Sequence, residues 1–555
     1  MSPFIKLLIF WSISTSIALA ESKALRVALP YHEADSISQI TQRPGQSRFI
    51  QEIVAPSVIS LDELWNWSCN LCTKIPSEDD TFYDSENKTF PYVMHWSLKP
   101  NIFWGDGNQV TAKDVKFTLH FLKKFSNIFY KTRLPNFKIT TSKNDKLSFS
   151  IHFESKRYDA AQLLAISLLP VHKSKDIETI FQSIKMNGTS LQNIYESLIV
   201  KNQLFLDPGL YYGPFRPKVF AKQVVLTKNT FYKNPSTEFN VIEFQFFNDF
   251  NQITKLLKNE SVDFIAEGAI DVSELNRIKL PNTYRVQSTP GTNLEQLIVN
   301  LRNPILSDRI IRQTLYRALN LNTLRAHAFS GYGATAQSIL GPNKAPQNHI
   351  PRYSSVDLLI KTLAANGWQP GEDGIRSKLG KRLSLEILVD QSNHGYFLAS
   401  LIQKAWKDIG VEINIVKVSS NTLNDRLMQK RFSGLALQTY PHHKDSFWAI
   451  RFHSSSIPNS DNSYQGLNFM SWKNKQADEL LTSIVHETDK TLLSSQYQSL
   501  DELILDQLPI MPLVYKPQIM IIHDRLTNVL NPGHLFSSSS FATGWRLQEK
   551  SPIIF

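Results

Sequence analysis

The sequence is poor in the features that usually announce a reactive centre. It has two cysteines in 555 residues, Cys69 and Cys72, so any thiol chemistry must come from one Cys-x-x-Cys pair. It contains no Gly-x-Ser-x-Gly, no His-Glu-x-x-His and no phosphate-cradling Gly-Lys-Ser/Thr. That excludes the common locally encoded hydrolase, metalloprotease and P-loop sites and leaves only centres assembled from distant residues. After residue 20 no apolar run approaches the roughly 20 residues that span a bilayer without meeting charges. The 60 Lys and Arg against 49 Asp and Glu leave a formal charge of +11, but no basic tail or recognised nucleic-acid module gathers it. Internal repeats and low-complexity linkers are absent too.

The chain begins with Lys6 and the apolar run "LLIFWSISTSIALA", ending in Ala18-Leu19-Ala20. This is the form of an export signal cleaved after Ala20, and no cysteine lies nearby to accept a lipid. The expectation is an exported, periplasmic protein. Its length suggests three or four domains at about 150 residues each. Charged residues at 20% and apolar ones at 42% describe a folded globular chain.

Short strand-like runs alternate with amphipathic helical stretches, so the fold class is mixed α/β. "ALRVALP" reads as a strand. "VMHWSLKPNIFW" alternates like a strand before the turn "GDGN". In "VTAKDVKFTLHFLKKF", Val115, Leu119 and Leu122 share a helical face, with Thr111 as N-cap and Asp114 in the first turn. Residues 383 to 418 give strand, helix closed by Gly410, and strand, a βαβ unit that requires a parallel sheet. Asn421 is expected to cap the next helix. Pro509, Pro512 and Pro517 in "LPIMPLVYKPQIMIIHD" suit an extended or edge segment better than a central strand.

The stretch "HWSLKPNIFWGDGNQVTAKDVKFTLHFLKK" resembles the extracytoplasmic solute-binding proteins of family 5, nearly position by position. The resemblance continues in order through "YGPFRPKVFAKQVVLTKNTFYKN", "FNQITKLLKNESVDFI", "NLRNPILSDRIIRQTLYRALNLNTL" with Arg312 and Ala318, and "LLIKTLAANGWQPGEDGIRSKLGKRLSLEILVD". It implies a two-lobed cleft fold of the class II periplasmic-binding-protein type with an extra inserted domain. Carried over, lobe I would comprise residues 21–54, 168–285 and 510–555, the insertion 55–167, and lobe II 286–509. The implied role is non-enzymatic and needs no cofactor: capture of a peptide or peptide-like solute and delivery to the permease and ATPase subunits of an ABC importer. The protein is expected to be a monomer, with no nucleic acid partner.

Asp106 in "WGDGN" has a turn explanation and is read as structural. Gly331 to Ala336 mimics a dinucleotide fingerprint but follows a helical stretch rather than a strand. The informative segment is "GLALQTYPHHKDSFWAIRFHSS". In peptide-binding relatives the corresponding segment carries an Asp-Tyr pair whose carboxylate holds the peptide's amino terminus, since a buried ammonium needs a charged partner. Aligned on Ser446-Phe447, this chain has Tyr440 at the acidic position, followed by His442, His443 and Lys444; Asp445 would supply the missing charge only after a local shift, and this alignment does not place it there. Neighbouring histidines in an extended segment point opposite ways, which disfavours joint metal or haem ligation. Tyr440, His442, His443, Asp445 and Trp448 are therefore the candidate ligand contacts, with no metal site. For Cys69 and Cys72 an oxidising compartment favours a local disulfide. The competing classes are a thiol-disulfide oxidoreductase on that pair and a sensor or chaperone on the binding fold.

Overall fold

The structure is a computed structural model that describes residues 24–30, 46–77, 80–124, 135–157, 159–179, 206–219, 224–233, 237–342, 353–441, 451–462, 464, 466–534 and 537–548. Among these, no helix is long and apolar enough to cross a membrane.

Strand β1 (Ala24–Pro30) is the first described element. Two short strands, β2 (Ile59–Leu61) and β3 (Trp67–Cys69), pair with each other. They lead into a four-stranded antiparallel sheet of β4 (Thr81–Tyr83), β5 (Tyr92–Ser97), β6 (Phe137–Thr141) and β7 (Ser148–Phe153). Its inner face, with Trp96, Phe149, Ile151 and Phe153, packs into the same core as β1. The helix Ala112–Lys124 starts where Thr111 and Asp114 predict. Asp114 reaches back to accept from the Thr111 amide at 2.7 Å, and its other oxygen accepts from the Val171 amide at 2.8 Å. The first-turn carboxylate thus caps the helix and ties in a distant loop. Asp106 bonds the Asn108 amide at 3.1 Å and lies 2.8 Å from His172 Nε2, a turn clasp.

Cys69 and Cys72 form a disulfide with their Cα atoms 5.1 Å apart. Cys72 is fully buried and Lys99 Nζ donates to the Cys69 and Asn70 carbonyls at 3.1 and 3.0 Å. The pair sits at the end of a strand rather than at a helix N-terminus.

Among the described residues an eleven-stranded sheet runs from one side of the molecule to the other. One part holds β1 with β8 (Phe215–Val219), β9 (Val224–Lys228), β10 (Val241–Phe247) and β11 (Phe264–Ile265). After the long strand β12 (Tyr284–Val299) and the short β13 (Ala334–Thr335), a separate small sheet is made of β14 (Gln369–Pro370), β15 (Arg376–Lys378) and β16 (Lys381–Arg382). The other part of the large sheet holds β17 (Ser384–Asp390), β18 (Glu412–Val418) and β19 (Leu435–Pro441). β17 and β18 are the parallel pair of the βαβ unit, joined by the helix Asn393–Lys407 and Gly410 at φ +82°. The final strand β20 (Ile510–His523) lies against β12. The order across the sheet is β18-β17-β19-β12-β20-β11-β1-β10-β9-β8, with β13 also on β20.

β12 and β20 are the only strands among the described residues that belong to both parts. Tyr284–Pro290 of β12 pairs with Pro517–His523 of β20, and Leu294–Ile298 pairs with Ile510–Tyr515, with register shifts at Pro290/Leu294 and Glu295/Gln296. Cores formed by Val27, Phe264 and Ile521 lie on one side of this junction, and cores formed by Leu297, Ile387 and Phe452 on the other. The molecule is therefore two-lobed, with two antiparallel strands as the crossing.

β20 corrects the reading of its prolines. It is a central strand, with β12 on one side and β11 and β13 on the other. Pro512 and Pro517 lie at the two register irregularities, where a missing amide costs the ladder least. The helix Ser420–Met428 is capped by Ser419 Oγ, which accepts from the Thr422 amide, and not by Asn421. Serine is as good a cap as asparagine, and β18 ends immediately before it.

Candidate functional site

The strand directions locate a cleft. β12 runs from the first lobe into the second; β19 is antiparallel to it, and β17 and β18 are parallel to β19. The carboxyl ends of β17, β18 and β19 therefore point back at the first lobe. β20 runs the opposite way to β12, and β11, β1 and β10 run antiparallel to β20. Their carboxyl ends point at the second lobe. Two sets of carboxyl ends thus face each other across the β12/β20 junction, the position where sheet proteins of this kind bind ligands.

Contacts bridge the lobes on both flanks. Asn276 Nδ2 donates to Ser330 Oγ at 2.5 Å, and Tyr332 packs against the Phe247, Ile270 and Ile521 core of the first lobe. The sequence from Gly331 to Ala336, which mimics a nucleotide motif, is this bridging loop and the short β13 on β20. Gly333, at φ +76°, lies so near the Tyr515 carbonyl that a Cβ would sit 2.4 Å from it. On the other flank His486 Nδ1 is 3.2 Å from the Lys156 carbonyl and 3.3 Å from Ser155 Oγ.

β19 is paired with β12 along its whole length, Asn293 facing Pro441 and Val299 facing Leu435. On its other side β17 pairs with it only at Leu435 and Ala436. From Leu437 to Pro441 no described strand covers that edge, so backbone donors and acceptors are presented where β19 enters the cleft.

Tyr440 is half-buried near the cleft end of β19, opposite Leu294. The Arg451 guanidinium lies 4.0 Å from its ring centroid and 5.4 Å from that of Phe452. Burial lowers the Arg451 pKa to about 10, although the Tyr440 and Tyr515 phenols support the charge. His442, His443, Asp445 and Trp448 lie outside the described residues. Behind Tyr440, Gln296 and Gln438 face each other across the ladder. Neither amide atom of the fully buried Gln296, nor Gln438 Oε1, has a hydrogen-bond partner among the described residues.

The opposite face of the same strands carries a charged group. Glu295 is 4% exposed and accepts from Thr439 Oγ1, its cross-strand neighbour, at 2.8 Å. Lys516 Nζ on β20 and His394 Nε2 each lie 3.9 Å from Glu295 Oε2. His394 stands in the first turn of the helix Asn393–Lys407, capped by Ser392, with its ring edge-on to Phe329 at 4.8 Å. Burial pushes the imidazole below its ordinary value, against the attraction of Glu295, Asp271 and Asp390 and with the help of Lys516. Asp271 belongs to the first lobe, where it caps the helix Val272–Leu275 in a capping box with Glu274. Burial works to raise its carboxyl, but bonds from Ser273 and the helix amides, with the His394 charge, hold it low.

Sequence reasoning singled out Tyr440 and missed Glu295, His394 and Lys516. The available signal was a lone carboxylate inside the mostly apolar stretch "LEQLIV", where Gln296 is the one other polar residue, since an acid is rarely buried without a specific partner.

Known proteins resemble this chain over most of its length. The family model described as bacterial extracellular solute-binding proteins, family 5 middle, matches residues 91–460. The oligopeptide-binding protein AppA of Bacillus subtilis is 22% identical over 447 residues, covering 77% of this chain and 76% of AppA. Among solved structures, Bacillus subtilis AppA in complex with a nonapeptide superposes with a TM-score of 0.65 at 18% identity, covering 95% of this chain and 99% of that one. Campylobacter jejuni NikZ in complex with Ni(L-His) gives 0.70 at 18% identity, with the same coverage. At that identity the structures speak to the fold.

Proposed function

The chain belongs to the bacterial extracellular solute-binding proteins of family 5 and is a substrate-binding component; from that premise we propose that its solutes are peptides or peptide-like molecules, captured between the lobes and passed to an ABC permease. The observation that carries this reading is the uncovered edge of β19 from Leu437 to Pro441. An extended peptide satisfies such an edge by adding as a further strand, with main-chain hydrogen bonds supplying affinity and alternate side chains entering pockets. A small compact solute has no backbone with which to do so. The Bacillus subtilis relative, an oligopeptide-binding protein whose structure was solved with a nonapeptide, agrees with the reading.

In this reading Tyr440 stands at the mouth of the peptide groove, with its ring held by Arg451. His442, His443, Asp445 and Trp448 follow the carboxyl end of β19 in the chain and are proposed as further ligand contacts. The protein acts outside the cytoplasm after cleavage at Ala20, as a monomer, with the lobes pivoting where β12 and β20 change register. The buried, strand-end setting of Cys72 favours a brace over a thiol oxidoreductase, because a reactive cysteine needs exposure and an electropositive or helix-terminal setting.

Mass spectrometry of solutes released by denaturing the purified exported protein tests the proposal. Peptides sharing a narrow length range are expected. Recovery of only non-peptide metabolites, together with no calorimetric response to peptide pools, would overturn it.

A further inference from the structure

Resting on the peptide reading, we infer that Glu295 and His394 form a binding site for a primary ammonium group of the ligand, with Lys516 as the protein's own competitor for that place.

The argument starts from hydrogen-bond capacity. A carboxylate offers about four lone-pair sites, and a buried one needs most of them filled. Glu295, 4% exposed, has Thr439 Oγ1 as its one hydrogen-bond donor among the described residues. The two nitrogens nearest its Oε2, Lys516 Nζ and His394 Nε2, both stop at 3.9 Å. That is beyond hydrogen-bond distance. His394 Nε2 itself has no hydrogen-bond partner among the described residues. Glu295 Oε2, which accepts from Thr439, and His394 Nε2, able to accept in the neutral ring, thus stand 3.9 Å apart with no donor shared between them among the described residues.

The missing donor has a definite shape. A nitrogen bonded to both Glu295 Oε2 and His394 Nε2 at about 2.8 Å would bind them at about a right angle, which a tetrahedral ammonium tolerates. A guanidinium, with its wide planar fork, matches a single carboxylate edge instead. The charges nearby choose the same sign. Glu295, Asp271 and Asp390 all act on His394, against the one ammonium of Lys516. Although the chain carries a formal charge of +11, carboxylates outnumber ammoniums at this point.

Lys516 shows which chemistry the place accepts, since its side chain is 37% exposed and its ammonium is the nearest amine to the carboxylate. A flexible lysine stem can swing out when a better-placed amine arrives. Asp271 adds a consequence. It lies on the first lobe while Glu295, His394 and Asp390 lie on or beyond the crossing strands. A cation at Glu295 is attracted from both lobes and favours their approach.

The test uses the purified chain and two synthetic pools of tri- to pentapeptides, one with free amino termini and one N-acetylated, both lacking lysine. Retained peptides are quantified by mass spectrometry after gel filtration, and affinities by calorimetry. Wild type should hold the free-amine pool at least tenfold more tightly, and Glu295→Gln should reduce that preference to less than threefold while still binding the acetylated pool. Lys516→Met should tighten free-amine binding several-fold, a gain that misfolding cannot imitate. Equal affinity for both pools in wild type, or an undiminished preference in Glu295→Gln, overturns the inference while leaving peptide binding intact. Retention of neither pool overturns the peptide reading and this inference together.

Discussion

Asn276 in the first lobe donates from Nδ2 to Ser330 Oγ in the second at 2.5 Å, so this side-chain bond joins the lobes on the flank opposite the His486 contacts with Ser155 and Lys156, in addition to the shared β12 and β20 strands. Replacing either residue with alanine removes that bond without touching the proposed groove. A hydrogen bond of this kind is worth about 1 kcal/mol net, roughly a fivefold change in the ratio of joined to separated lobes. Small-angle scattering of Ser330→Ala should show a larger radius of gyration than wild type, and peptide affinity should fall by a similar factor. An unchanged scattering profile would mean the bond does not contribute to the pose of the lobes.

Asp263 organises the first lobe. It is fully buried and accepts from Arg525 Nε and Nη2 at 2.6 Å each, from Arg26 Nη2 at 2.8 Å and from the Arg26 amide at 2.9 Å. Burial opposes its charge, but these bonds hold the carboxyl below its ordinary value. Its folded pKa is depressed, so its contribution is present above the unfolded value near 4 and is lost as the pH falls through the folded one. Asp263→Asn should cost about 3 kcal/mol at pH 7, near the lower end for breaking a buried ion pair because both arginines remain partly exposed. The deficit, read from urea midpoints, should shrink below pH 4. A constant deficit from pH 7 to pH 3 would rule out a charge-based cause.

The Cys69–Cys72 loop is short, so its closure restrains the unfolded chain weakly. Lys99 also grips the Cys69 and Asn70 carbonyls. Substituting both cysteines by serine should lower stability by at most about 2 kcal/mol and leave peptide affinity unchanged. Insulin reduction should be absent in wild type; turnover that Cys69→Ser abolishes would restore the oxidoreductase reading.

The groups facing His394 are Glu295, Lys516, Asp271 and Asp390, with the Phe329 ring against its edge. Burial depresses its folded pKa. The unfolded chain therefore takes up this proton first, and stability is at its full value above about pH 6.5 and declines as the pH falls below it. Protonation also turns the proposed acceptor into a cation. Affinity for free-amine peptides should drop between pH 7 and pH 5 in wild type, and the drop should be smaller in His394→Gln. Identical pH profiles for the two proteins would remove His394 from the site.

Local patterns account for much of what was legible. The βαβ unit at 384–418 follows from strand alternation, an amphipathic helix and a glycine at positive φ. The Thr111 and Asp114 cap is likewise an interaction between neighbours. The prolines of β20 misled because an edge strand and a central strand with two register irregularities read alike along the chain; only the partner strand distinguishes them. Tyr440 was found because it departs from a family pattern, whereas nothing local marks Lys516.

By itself the sequence determined the mixed α/β class, the family and the elements whose energetics are settled within about a dozen residues. The tertiary structure decided that β17, β18 and β19 point their carboxyl ends at those of β1, β10 and β11, and that β12 and β20 are the strands among the described residues that cross between the lobes. It also gathered Glu295, His394 and Lys516 from three distant segments to within 4 Å contacts. The reason is physical: hydrogen-bond ladders and helix caps are short-range, while the position of a charge in a cleft depends on which strands pair across hundreds of residues.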